Sequence, residues 1–327
     1  MGNSNKALLV VNFGGPRNLQ EVPDFLEALL TDKDVIRTPL PGFVQDFIFK
    51  RIARKRSDKV AKDYGLIGGK SPIFEDTEWM ASHLAEQIDC PFFTFHRYLR
   101  ATHKSFIEQI MTLPQEEILV FPLFPQFSYA TTGSIARFFE KKLPPSVCKK
   151  LKWVCSYFSH EKYIEAFALT IQNFLQEKGF LEEETILLFS AHGLPKSYIE
   201  QGDPYQRQCE ASFQKLSEKF PKALSKLSYQ SQFGKSAWIT PSTLSMCQRP
   251  QEWVEDKKHI VFVPLSFTSD HIETLFEVEY EYVQPLRDLG YSAHRCPALG
   301  RSPFWVQAAK SILSEDWKCR NRCLIRR

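Results

Sequence analysis

Short apolar runs separated by long amphipathic stretches constrain this chain more than any other feature. The runs fall at Lys6–Asn12, Pro91–Phe95, Glu117–Leu123 and Leu151–Tyr157, and again at Thr185–Ser190, Leu227–Ser231, His259–Leu265 and Ala293–Cys296. Each has the length of a strand buried on both faces. The gaps are long enough for crossover helices, so the pattern predicts an α/β chain with mostly parallel sheets. A length of 327 residues is too great for one ordinary core and fits two domains. We expect doubly wound halves at 1–162 and 163–302, a helix at about 303–318 crossing back to the first half, and a basic tail at 319–327.

The halves carry a faint duplication. Ile118–Leu123 reads like Ile260–Leu265, and Asn12-Phe13-Gly14-Gly15-Pro16 closes its strand with Gly and Pro, as Ser190-Ala191-His192-Gly193-Leu194-Pro195 does. In open parallel sheets, ligands bind beyond the carboxyl ends of the strands. That rule points to Asn12–Pro16, His96–Tyr98, Gln126–Ser134, His192–Pro195, Ser231–Lys235 and Thr268–Glu273, facing a shared cleft.

Composition removes several classes. A net charge of +4, with no Lys/Arg stripe interleaved with aromatics, argues against a nucleic-acid binder. No apolar run approaches a membrane span. The 27 phenylalanines either fill two cores or line a pocket for a flat apolar ligand. The cysteines are scattered without a Cys-x-x-Cys pair, which speaks against zinc and thioredoxin-like sites. With no signal peptide read in the sequence, reduced thiols in a cytosolic setting are expected. The start Met1-Gly2-Asn3-Ser4-Asn5-Lys6 misses the myristoylation pattern at Lys6. Gly68-Gly69-Lys70-Ser71 imitates a P-loop, but Tyr64 stands where its first glycine belongs, and no Gly-x-Gly-x-x-Gly follows the first strand.

Two segments carry chemistry. His192 ends a strand, where a neutral imidazole can take a proton near neutral pH or bind a borderline metal. The plain alternative is a histidine bonded to a loop carbonyl. Asp270 and Glu273, three apart, fit a capping box, which makes Asp270 a candidate structural cap. Yet Glu273, Glu277 and Glu281 stand four apart, an acidic ladder along one helix face with no Lys or Arg between them. Like charges so spaced cost roughly 0.2–0.5 kcal/mol per pair. A solvated face tolerates that cost, and cation handling would give it a use.

Ser190–Pro195 and Thr268-Ser269-Asp270-His271-Ile272-Glu273-Thr274-Leu275 together resemble the signatures of the ferrochelatase family. Gly68–Ile73, Pro125–Ser128 with Thr131–Ser134, and Gly202–Tyr205 resemble further family segments in the same order, from about Leu8 to Phe304. The resemblance implies two Rossmann-like halves with a porphyrin between them. It also implies the terminal step of haem synthesis, insertion of Fe2+ into protoporphyrin IX with loss of two protons. By that likeness His192 and Glu273 are the facing catalytic and metal-handling pair, and Glu277 and Glu281 an acidic relay or secondary metal site. Arg97 and Tyr98 match a pair near the family's pocket, and Asn12, Phe13, Ser128 and Thr131 join them as porphyrin-pocket candidates.

The chain departs from some members of that family. Tyr129 stands where those members place an iron–sulfur ligand, and the tail supplies only Cys319 and Cys323, so no cluster is expected. Gly65-Leu66 replaces an Arg pair that some members carry. The 42–62 segment reads as a basic amphipathic helix, fit either for peripheral contact with an inner membrane surface or for packing on its sheet. The competing functions are insertion into coproporphyrin III, a non-catalytic tetrapyrrole or metal carrier, and a nucleotide-dependent oxidoreductase. The failed glycine motifs disfavour the last.

Overall fold

The computed structural model describes residues 5–234, 236–315 and 318–325; Met1–Ser4, at the start of the near-miss lipidation pattern, lie outside them. The chain divides into two compact units, Met1–Ser156 with Ala309–Arg327, and Tyr157–Ala308. The second division falls inside the helix Pro303–Ser314.

The first unit is built on β1 (Lys6–Asn12), β2 (Phe92–His96), β3 (Glu117–Pro122), β4 (Leu151–Val154) and β9 (Lys318–Arg320), in the order β2-β1-β3-β4-β9. The second uses β5 (Thr185–His192), β6 (Leu224–Gln230), β7 (His259–Pro264) and β8 (Ser292–Arg295), in the order β6-β5-β7-β8. Setting β9 aside, the two orders are the same, and all pairs in them are parallel. The likeness seen in sequence falls on equivalent strands, β3 with β7, and on the loops after β1 and β5. In each unit the first strand sits in the middle, flanked by its two successors. The chain therefore reverses direction across the sheet at that strand, and its carboxyl end opens a crevice.

The central strands are apolar because helices cover both of their faces. Ala7–Asn12 of β1 and Thr185–Ala191 of β5 are buried throughout. Around the first sheet pack Phe95, Phe106, Phe139 and Trp153, whose rings touch at centroid distances of 4.8–5.8 Å. Ile186, Leu188, Ile260, Phe262, Val278 and Tyr282 form the second core. Much of the phenylalanine content therefore fills cores.

Two expectations need correction. The tail is not merely a basic extension: Lys318–Arg320 pairs antiparallel with β4, setting Cys319 opposite Trp153. A strand that short carries no readable alternation in sequence. The same pairing brings Cys155 and Cys319 together, 164 residues apart in the chain, and they form a disulfide. The reduced state expected for all thiols fails for this pair. Cys90, Cys148, Cys209, Cys247, Cys296 and Cys323 are free.

Gly68 and Gly69 take positive φ at the end of the helix Gly42–Leu66, where the Gly69 N–H donates to the Tyr64 carbonyl at 2.8 Å. These glycines end a helix rather than cradle a phosphate.

Candidate active site

In the second unit, chemistry gathers beyond the carboxyl ends of β5, β6 and β7. Gly193 fixes the exit from β5. Its N–H donates to the Gln230 carbonyl at 2.8 Å, and a Cβ there would lie 2.7 Å from that oxygen. Only glycine lets β5 leave so close to β6. His192, the last residue of β5, is held by its backbone N–H, which donates to Ser266 Oγ at 3.0 Å. Its side chain is about one-third exposed, so the ring is anchored by a buried strand yet reachable.

His192 Nδ1 lies 2.7 Å from Glu273 Oε2. With Nδ1–H donating to the carboxylate, a neutral ring carries its lone pair on Nε2. Burial alone would favour the neutral ring. The Glu273 charge and hydrogen bond, and then the charge of Glu277, outweigh it and hold the imidazole above the ordinary histidine value. Burial likewise works to raise Glu273, but His192, His271 and Ser231 together hold its carboxyl well below the usual range.

Glu273 opens a π-helix, Glu273–Val283, an element rare in proteins and frequent at functional sites. The sequence predicted a helix here but not its winding. The buried positions Thr274, Val278, Tyr282 and Val283 seat it on the second core. The same turns bring Glu273 and Glu277 to one residue after β6, Ser231. Ser231 Oγ lies 3.2 Å from Glu273 Oε2 and 2.5 Å from Glu277 Oε2, and its N–H donates to Glu277 Oε1 at 2.7 Å. The Tyr282 hydroxyl donates to Glu277 Oε1 at 2.5 Å, and Gln230 Nε2 donates to the Glu273 carbonyl at 3.2 Å. Burial and the neighbouring Glu273 charge push the Glu277 carboxyl upward against these bonds. Glu281, one ladder step further, is exposed.

The cap expected of Asp270 is not what its side chain does. Asp270 Oδ1 accepts from Thr274 Oγ1 at 2.7 Å and from Arg295 Nη1 at 2.9 Å, while the π-helix begins after Ile272 with no side-chain cap. A guanidinium from β8 is a stronger partner than a backbone amide and takes the carboxylate. The Glu273 carboxylate faces His192, so the reciprocal half of a capping box is missing too.

The remaining candidates lie in the first unit. Asn12, at the end of β1, is buried; its Nδ2 donates to Thr77 Oγ1 at 2.9 Å and its Oδ1 accepts from the Phe13 N–H at 2.8 Å. Phe13 is half-buried, edge-on to Tyr98 with centroids 4.8 Å apart. Arg97 Nη2 and Tyr98 Oη both donate to Asp32 Oδ2 at 2.8 Å, and Arg97 Nε donates to Ser134 Oγ at 2.9 Å. Burial, and next the Asp32 charge, push the Tyr98 phenol far above its ordinary value, so it stays protonated. Ser128 is buried and accepts from the Ala130 N–H at 3.1 Å. Thr131 is half-buried, its hydroxyl 3.4 Å from the Ser128 carbonyl.

Sequence reasoning missed Ser231, Gln230, Ser266 and Tyr282 as members of the site, and Asp32 and Ser134 as partners of Arg97. The strand-end rule had reached Ser231 as the first residue of a segment. Nothing marked its hydroxyl as the point where two ladder glutamates meet.

Comparison with known proteins bears on this site. The family description Ferrochelatase matches residues 5–316. The chain is 44% identical to a ferrochelatase of Chlamydia caviae over 320 residues, covering 98% of this chain and 99% of that protein. It is 42% identical to the ferrochelatase of Chlamydia pneumoniae, covering 95% and 93%. Among solved structures, SirB from Bacillus subtilis with Fe3+ superposes with a TM-score of 0.55 at 14% identity, covering 94% of each chain. CbiX, described as the terminal enzyme of sirohaem biosynthesis in denitrifying bacteria, gives 0.51 at 14%, covering 95% of this chain and all of that one. At such identity these two structures speak to fold alone.

Proposed function

The chain belongs to the ferrochelatase family, the enzymes that put iron into a porphyrin for haem synthesis, and from that premise we propose that it acts on protoporphyrin IX with His192 and Glu273 as its proton-handling pair. The carrying observation is the 2.7 Å contact between His192 Nδ1 and Glu273 Oε2. Each metal inserted displaces two pyrrole protons. His192 Nε2 takes one of them as the Nδ1 proton is shared with Glu273, so the imidazolium forms against a carboxylate already in place. Only while the ring is neutral can its Nε2 lone pair, with the Glu273 carboxylate, meet the entering Fe2+; the second pyrrole proton follows the first through Nε2 once His192 has passed its proton on to solvent. Glu277 and the exposed Glu281 continue the acidic face toward solvent as a relay. By the family resemblance, Asn12, Phe13, Arg97, Tyr98, Ser128 and Thr131 are the porphyrin-contacting candidates of the first unit. In that role the Arg97 guanidinium and the Tyr98 phenol act as a rigid wall, since Asp32 and Ser134 hold their polar ends. A non-catalytic carrier would have no use for a proton acceptor.

The form Thr268–Leu275 resembles the protoporphyrin-using group, which supports protoporphyrin IX over coproporphyrin III. Nor do the residues fit a resident iron–sulfur cluster. Tyr129 packs beside Gly133 near the Leu324 carbonyl, Cys319 is bonded to Cys155, and Cys323 is the remaining thiol of the described tail. One anaerobic experiment reads both points. The purified protein is expected to show no cluster absorbance, then to turn over Fe2+ faster with protoporphyrin IX than with coproporphyrin III. Cluster bands, or the reverse preference, would contradict the corresponding proposal.

A specific surface favours peripheral membrane contact as well. Among the described residues no helix is long and apolar enough to cross a membrane. The helix Gly42–Leu66 buries Gln45, Ala53, Ser57 and Tyr64, and leaves Phe43 79% and Phe47 70% exposed, with Ile48 and Ile52 beside them. Lys50, Arg51, Arg54 and Lys55 are exposed on the same helix. Aromatic side chains among cations suit an anionic lipid surface. The protein is expected to co-sediment with phosphatidylserine-containing vesicles, and a Phe43→Glu/Phe47→Glu variant to remain in the supernatant with its melting temperature unchanged. Equal sedimentation of both proteins would reject the contact.

A further inference from the structure

Resting on the reading of His192 and Glu273 above, we propose that Ser231 is a positioning residue, whose backbone N–H and hydroxyl clamp Glu273 and Glu277 side by side against their mutual repulsion. Two carboxylates four residues apart on one helix face repel each other. The repulsion is greatest where burial removes water, and both of these side chains are at least half withdrawn from solvent. Without a donor shared between them, that repulsion acts against the side-by-side geometry. Ser231 gives its N–H to Glu277 and has one hydroxyl hydrogen, which lies between the two carboxylates. Its N–H and Oγ reach the two oxygens of Glu277 at 2.7 and 2.5 Å, and the same Oγ lies 3.2 Å from the Glu273 oxygen that bonds His192. The chain His192–Glu273–Ser231–Glu277–Tyr282 is thereby continuous.

The backbone supplies an independent argument. Ser231 sits at φ 61°, in the left-handed region. A side chain there is strained, and glycine would relieve the strain. The fold alone would therefore be better served by a glycine at this position. Retaining a Cβ at this spot serves the hydroxyl, and such strained residues cluster at functional sites. Two neighbouring devices serve the same end. Gln230 holds the Glu273 carbonyl, and its Oε1 in turn accepts from Ser190 Oγ at 2.7 Å. The end of β6 thus grips the first turn of the π-helix by both main chain and side chain.

Ser231→Gly separates the hydroxyl from the fold, because it keeps the N–H and removes the strain. The expected result is a fall in kcat of roughly tenfold or more, as for loss of one charge-assisted hydrogen bond. KM for protoporphyrin IX is expected to stay within about twofold, since the porphyrin is not what the hydroxyl holds. The melting temperature is expected to be equal or higher. Unchanged kcat, or a lower melting temperature accounting for the loss, overturns the clamp. A wild-type chain that inserts no iron overturns the underlying reading along with it. A wild-type chain that inserts iron alongside an equally active Ser231→Gly variant overturns the clamp alone.

Discussion

Replacing His192 with alanine is expected to lower the rate of iron insertion by roughly 10²–10⁴-fold, the range for removal of a positioned acid–base group. The fold has little reason to fail with it. The backbone bond from His192 N–H to Ser266 Oγ does not involve the ring and survives the change. The ring itself is one-third exposed, so the pair with Glu273 is partly screened and its loss costs about 1 kcal/mol or less of stability. Glu273 keeps the Ser231 contact but loses the partner that holds its carboxyl low, so it becomes easier to protonate. Porphyrin binding, measured by fluorescence quenching, is expected to persist while metalloporphyrin formation stops. Near-normal insertion by the His192→Ala enzyme would remove the histidine from the chemistry.

The second large effect is expected from Glu273→Gln. This change keeps the shape and a hydrogen-bonding side chain but removes the charge. The sequence left two roles open for Glu273, with opposite predictions. A capping role makes the change cost stability, roughly 0.5–2 kcal/mol, with activity spared. A charge role costs activity, by roughly tenfold to a hundredfold, with stability nearly unchanged. The carboxylate faces His192, and Asp270 is occupied by Thr274 and Arg295, so the geometry favours the charge role. Thermal denaturation and steady-state kinetics on the same preparation separate the two.

The parts of this protein that were readable in sequence are those set by local pattern. A strand buried on both faces must be a short apolar run, and β1, β3, β5 and β7 begin at the residues where their runs begin. Equivalent strands of two like-ordered sheets also resemble each other, which made the duplication visible at Ile118–Leu123 and Ile260–Leu265. What was not readable depends on partners far away in the chain. Asp270 looked like a cap because its neighbours fitted one, but Arg295, 25 residues on, outcompetes them. Arg97 and Tyr98 matched a pair near the family's pocket, but their partners Asp32 and Ser134 lie 65 and 37 residues from Arg97. Cys155 and Cys319 meet only because a three-residue strand pairs with β4.

The acidic helix lies between these cases. Its four-residue spacing announced a common face, but winding as a π-helix is a tertiary outcome, and no residue type between Glu273 and Val283 signals it. Ser231 was hardest to see. Its importance comes from a left-handed φ at the end of β6 and from two glutamates more than 40 residues away, neither of which a serine in a loop reveals.

The pH dependence of kcat/KM for iron insertion, compared between wild type and Glu273→Gln, tests the central pair most directly. His192 must be neutral to accept a pyrrole proton, so activity rises with pH as the imidazolium deprotonates. In the wild type the Glu273 carboxylate holds that imidazolium together, and the inflection is expected above the ordinary histidine value. Without the charge, burial becomes dominant and favours the neutral ring, so the inflection is expected to move to lower pH as the plateau falls. Inflections at the same pH in both enzymes would contradict a working His192–Glu273 pair.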